Sequence, residues 1–363
     1  MTLFSSSRRA FTRYAVAVAM TGGLFGIAAA QAASCPTPRQ MDGFMTCADV
    51  AKAEQEGEVV FYTTDPPAPT TEMVAAFMKA FPKIKVSFVR LQAGNLFAKL
   101  MAERQAKTYL VDVMSISEMT FATDLQKRGG YVQYISPEQD AYAPQYRSKP
   151  EGFFTWGSLI VAGLAYNPKL VAAGEVPKNW PDVLSPVFQG AINAKLSTSG
   201  LQFATWYKLR QLYGEQYWTR FAELQPHGFD SYVQQFDRMT SGQDKLVHTA
   251  QYSAYLMMKA KGALLEFVFP SDGAMVAPQL YGIVDGAPHP EAAKLFQDWF
   301  LGKPGQIAMQ NAHFLSSPRT DLPPPPGGIP TAQMKLIMVE DADAQMKTRP
   351  QFVREWDKMM GLR

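Results

Sequence analysis

An α/β fold built from two sheet-and-helix units is predicted by three observations. Strand-length apolar runs alternate with helix-length amphipathic runs from Gly57 to Arg128. A second run of the same kind starts near Ser197. The 363 residues, less a leader of 32, suit about two domains at the usual ~100–200 residues each. Strand–helix–strand alternation implies a mostly parallel sheet with helices on both faces.

The first segment reads as an export signal. Ser7-Arg8-Arg9-Ala10-Phe11-Thr12-Arg13 precedes an apolar run from Tyr14 to Ala30, and Ala30-Gln31-Ala32 supplies the small-x-small cleavage pattern. The paired arginines with a nearby Phe resemble a twin-arginine signal. A membrane anchor is the other reading. The run is short and broken by Thr21-Gly22-Gly23, whereas a spanning helix needs about 20 apolar residues. Cleavage near Ala32 places the mature chain in the periplasm. It also removes Arg8, Arg9 and Arg13, leaving 32 basic against 32 acidic residues. A balanced surface argues against nucleic acid, which selects a clustered basic field. Residues 33–56 form an arm. In an oxidising compartment Cys35 and Cys47 most simply form a disulfide.

Gly57-Glu58-Val59-Val60-Phe61-Tyr62 reads as a buried strand ending in the polar turn Thr63-Thr64-Asp65-Pro66-Pro67. Thr70 or Thr71 can cap a helix with Val74, Phe77, Met78 and Phe81 on one face, stopped by Pro82. Ile84, Val86 and Phe88 alternate as a second strand, and Gly94-Asn95 opens a helix through Leu96, Leu100 and Met101. Val111-Asp112-Val113-Met114 is a third strand, followed by a helix from about Glu118 to Arg128. Ligands of such sheets sit beyond the carboxyl ends of the strands. Two of those ends are small and polar: Thr63-Thr64-Asp65 and Ser115-Ile116-Ser117-Glu118. Each alone is also ordinary loop and capping chemistry; two on one edge favour a site.

Trp156 to Tyr166 is apolar and reads as a crossing between units. Ala191-Ile192-Asn193-Ala194 is a short strand, then Thr198-Ser199-Gly200 precedes a long amphipathic stretch from Leu201 to Tyr213. Hydroxyls and unpaired amides at a helix start suit an anion, and Gly200 admits close approach. A capped helix with no ligand is the competing reading. Leu264 to Phe269 reads as a strand, Glu291 to Leu301 as a helix with Ala292, Leu295, Phe296 and Trp299 inward. Pro323 to Pro326 and Gly327-Gly328 make a connector before a final polar helix. Tyr252, Tyr255, Phe154 and Trp156 could line a cleft or fill a core. The histidines, His227, His248, His289 and His313, show no metal-ligand spacing. No nucleophile elbow, phosphate loop or zinc motif argues for an enzyme or a cofactor.

Several segments together resemble family 1 extracellular solute-binding proteins of ABC importers, in the ferric-ion-binding branch. They are Val59 to Thr64, Leu164-Ala165-Tyr166-Asn167-Pro168, and Pro177-Lys178-Asn179-Trp180-Pro181-Asp182-Val183-Leu184 with Pro186 and Gly190. Pro290 to Phe296, Gly305-Gln306 and Ser317-Pro318-Arg319-Thr320-Asp321 complete the pattern. The resemblance implies a two-lobed type II periplasmic binding protein fold with the ligand between lobes, and delivery to an inner-membrane permease with a cytoplasmic ATPase. It implies lobe 1 over 57–160 and 265–315, lobe 2 over 161–264, and a C-terminal connector and helix over 316–363 packing on lobe 2. A monomer is expected.

Carried over by position, the resemblance makes Ser199, Gly200 and Leu201 the oxyanion loop. The family's iron-binding tyrosine pair falls on Gln251, Tyr252 and Ser253, where only Tyr252 is a tyrosine. Ferric ion wants several hard anionic oxygens. Relatives in the resembled family carry phosphonates, phosphorylated sugars or polyamines, so the resemblance implies a small organic anion of the phosphonate or phosphate-ester class, held by Thr63, Thr64, Asp65, Ser115, Ser117, Glu118, Trp156, Thr198, Ser199, Gly200, Leu201, Gln251 and Tyr252. Ferric ion on Tyr252 with a synergistic anion is the alternative. A periplasmic enzyme or sensor subunit on the same fold is the alternative from another class.

Overall fold

The structure, a computed structural model, describes residues 37–361. The signal segment and the Cys35 half of the expected disulfide lie outside the described residues. Among those described, no helix is long and apolar enough to cross a membrane.

The chain opens with a short hairpin, β1 (Arg39–Gln40) and β2 (Met45–Thr46), and helix α1 (Val50–Glu56). Next come β3 (Glu58–Thr63), α2 (Pro67–Ala80), β4 (Lys85–Arg90), α3 (Ala93–Gln105), β5 (Val113–Ile116) and α4 (Met119–Lys127). A long strand, β6 (Thr155–Tyr166), leads to β7 (Ile192–Lys195), α5 (Gly200–Tyr213), α6 (Glu215–Glu223), β8 (His227–Phe229), α7 (Tyr232–Thr240), β9 (Leu246–Gln251) and α8 (Tyr252–Ala260). The chain returns through β10 (Glu266–Val268), β11 (Ala274–Ile283), α9 (Pro290–Leu301) and α10 (Lys303–His313). It ends with β12 (Leu336–Ile337), α11 (Ala342–Lys347) and α12 (Arg349–Met359).

One sheet runs through these elements in the order β4-β3-β5-β11-β6-β9-β7-β8. Its two ends are parallel: β3 pairs with β4 and β5, and β7 pairs with β8 and β9. Its centre is antiparallel, because β6 and β11 pair with each other and with β9 and β5 in opposite senses. The two parallel ends are thus continuous rather than separate.

Alternation along β3 explains the layering. Val59 and Phe61 face a core with Phe77 of α2 and Phe296 and Trp299 of α9. Tyr62 faces the opposite core with Leu96, Leu100 and Met114. At the far end Trp180, Trp206, Trp218 and Trp356 fill a third core. Two sequence expectations shift. Helix α2 starts at Pro67, so Thr70 and Thr71 lie inside it and their hydroxyls donate back to the carbonyls of Pro66 and Pro67. Proline at a first helical position is favoured because its missing N–H would be unpaired there anyway. The strand expected over Leu264 to Phe269 shortens to β10, paired antiparallel with the end of β6.

The terminal helices are anchored. Phe352 stacks on Phe203 of α5 at 5.0 Å between ring centres. Trp356 donates its indole N–H to the Lys195 carbonyl at 2.8 Å. Lys208 of α5 pairs with Glu340 at 2.6 Å, and Lys127 of α4 pairs with Asp343 at 3.3 Å.

Candidate functional site

A cleft of about 580 Å³, counted to its open mouth, lies between the start of α4, the start of α5 and the terminal helices. Four expected residues meet in it: Ser117, Glu118, Trp156 and Gly200. The strand β5 carries Ser117 and Glu118 past its carboxyl end, where Glu118 is the residue before α4 and its side chain caps nothing. Burial pushes the Glu118 carboxyl up from its ordinary value, and the positive charge of Arg349 partly offsets this. Gly200 faces it: a Cβ there would stand 3.7 Å from the Glu118 Oε1. The Trp156 ring comes from β6, buried and tilted against Tyr146 at 5.4 Å.

At the start of α5, Ser199 is the cap. Its hydroxyl accepts from the Gln202 N–H at 3.2 Å. The first helical hydrogen bond there runs from Phe203 N–H to the Ser199 carbonyl, so the amides of Gly200 and Leu201 precede it. Thr198 is exposed and donates to Asp230 at 2.9 Å, away from Ser199's cap. Leu201 is buried in the third core.

The other loop does not line this cleft. Asp65 Oδ2 accepts from the hydroxyls of Thr63 at 3.0 Å, Ser115 at 3.1 Å and Tyr281 at 3.0 Å. The Gln279 amide donates to Thr64 at 2.9 Å and to Ser115. Thr63, Asp65 and Ser115 are buried. Their register explains the cluster, since Thr63 pairs with Ser115 and Ser115 with Tyr281 across adjacent strands. Gln251 precedes α8 and donates to Ser253 at 2.7 Å. Tyr252 packs on Phe267 and Phe269, each at 4.8 Å, and its hydroxyl accepts from the Ile329 N–H at 3.1 Å. Burial raises its phenol above the ordinary value.

Sequence reasoning missed the third wall. Ala342, Gln345, Met346 and Arg349 of the terminal helices line the cleft with Thr120 and Phe203. A signal was present. Thr348-Arg349-Pro350 is a helix start, and Phe352 and Trp356, four apart, mark an inward apolar stripe.

A continuous α/β sheet with a cleft beyond its strand ends is the architecture of a type II periplasmic binding protein. Residues 110–334 match the family described as bacterial extracellular solute-binding protein, and the chain belongs to that family. It is 27% identical over 272 residues to an uncharacterised protein of Haemophilus influenzae, covering 70% of this chain and 75% of that one. The fold is similar to the fructose-6-phosphate-bound periplasmic binding protein AfuA from Actinobacillus pleuropneumoniae. The TM-score is 0.67 at 23% identity, covering 85% of this chain and 99% of that one. It is also similar to iron-bound HitA from Pseudomonas aeruginosa, with TM-score 0.70 at 17% identity, covering 83% and 99%. The chain is thus a solute-binding protein of the kind that serves ABC importers; the family implies a small-molecule ligand and a permease partner.

Proposed function

We propose that this protein works in the periplasm and captures a small organic anion of the phosphonate or phosphate-ester class for its permease. The observation that carries this reading is the meeting of Glu118, Trp156 and Gly200 in one cleft, with the first amides of α5 beside it. Those amides and the positive end of the helix favour a negative group. The AfuA structure, with its bound fructose 6-phosphate, supports the ligand class. Tyr252 fits a ferric site less well, because its hydroxyl already accepts a backbone hydrogen bond and burial resists its ionisation.

Thermal unfolding of the purified mature chain tests the reading. A ligand at about 100 times its Kd adds roughly 2.7 kcal/mol to stability. A phosphate ester or phosphonate is expected to raise Tm, and spermidine is not. Stabilisation by spermidine alone, or a ferric charge-transfer colour lost in Tyr252→Phe, would replace the organic anion with a cation as cargo.

A further inference from the structure

The terminal helix places a cation in the cleft that no carboxylate among the described residues pairs with. Arg349 is the first residue of α12 and lines the cavity. Its guanidinium lies over the Phe203 ring at 4.9 Å. Among the described residues it forms no ion pair within 4.0 Å, though its field reaches Glu118. Thr120 lines the same cavity, and its hydroxyl is buried without a hydrogen-bond partner. A buried hydroxyl left unpaired is costly, so a partner is expected from outside the chain.

We propose that Arg349 is a specificity-determining residue that takes the anionic group of the ligand, while Glu118 and Thr120 on the facing wall take its hydroxyls, so that the ligand is a sugar phosphate or a similar polyol phosphate. This rests on the reading of the preceding section and narrows it. Four physical points carry it. A guanidinium matches a phosphate with paired hydrogen bonds, and its planar face is already held by Phe203. Arg349 gives an anionic group a half-buried cationic partner, whereas Glu118 gives hydroxyl donors an acceptor. The position is fixed, because α12 is anchored through Phe352 and Trp356 and the preceding segment through Glu340 and Asp343. The apolar lining from Trp156 and Met119 suits the carbon face of a sugar ring.

Calorimetric titration with fructose 6-phosphate and with inorganic phosphate tests this on wild type, Arg349→Ala, Arg349→Lys and Glu118→Gln. Arg349→Ala is expected to weaken the sugar phosphate about tenfold or more, with Arg349→Lys in between. Glu118→Gln is expected to weaken the sugar phosphate relative to inorganic phosphate, because it weakens the hydroxyl acceptor and leaves the cation in place. Unchanged Tm of the ligand-free variants separates lost contact from lost fold. If wild type binds the sugar phosphate and Arg349→Ala binds it equally, Arg349 has no such role and the organic-anion reading stands. If wild type binds inorganic phosphate but no sugar phosphate, the hydroxylated class falls. If it binds neither, and no other organic anion, the organic-anion reading falls and this inference with it.

Discussion

At the scale of single residues, two buried ionisable groups act in opposite directions on stability as pH falls. His248 lies among the rings of Trp180, Trp218 and Phe221, and burial pushes its imidazole down to about 3. The unfolded chain takes up a proton there near 6.5 while the folded chain does not. Stability from this group is complete above that pH and is lost as pH falls toward 3. Asp298 is the reverse. Burial raises its carboxyl to about 6, against the hydrogen bonds it accepts from Tyr134 and Thr46. The folded chain holds that proton between 3.8 and 6, so acidification through this window stabilises. The two effects partly cancel in wild type, and the difference between proteins is the useful measurement. His248→Gln is expected to lose less stability than wild type between pH 7 and pH 4, by on the order of 3 kcal/mol. Urea midpoints at both pH values check this; parallel curves would mean that His248 reaches solvent and titrates normally.

At the scale of elements, the start of α5 separates a structural role from a binding role. The Ser199 side chain is committed to the Gln202 amide. Ser199→Ala is expected to cost about 1 kcal/mol of stability and Ser199→Gly only a few tenths, as for other helix caps. Urea denaturation measures both, and equal losses would show that the hydroxyl does not cap. What the sequence made legible follows the same division. Elements with a strong period were readable: β3, α4, β6, α5 and α9 lie within a residue or two of their expected bounds. The start of α2 was not, because Pro66 and Pro67 look like a turn until the helix is seen to begin on them. In the cleft, Ser117, Glu118, Trp156 and Gly200 were legible because loops at strand ends and helix starts advertise themselves locally. The enclosure of Thr63, Asp65 and Ser115 by Tyr281 and Gln279 was not, since it depends on strand order. Arg349 was hidden for the same reason, about 150 positions from the Gly200 that lines the same cleft.

At the scale of the whole molecule, the cleft is composite. Residues from 117–120, 200–204 and 342–349, segments that meet only in the folded chain, line it together with Trp156 and residues 276–278 of the central strands. They are carried by different supports: β5 at one parallel end of the sheet, α5 above the other, and the terminal helices tied to α4 and α5 by Asp343 and Glu340. A ligand that touches all of them links supports that are otherwise joined through the centre of the sheet, where β6 and β11 pair with a register shift at Gln279/Leu280. Ligands closing on such a site do so by hinge motion, and the bound state opens less often. Hydrogen exchange with saturating ligand is therefore expected to slow in all three segments together. It should change little in α2 and α9, whose aromatic core around Phe77, Phe296 and Trp299 stands away from the cleft. Slowing confined to 117–120 and 200–204 would leave the terminal helices as a bystander. Slowing spread evenly over α2 and α9 would point to global stabilisation of the whole chain rather than to a bridged cleft.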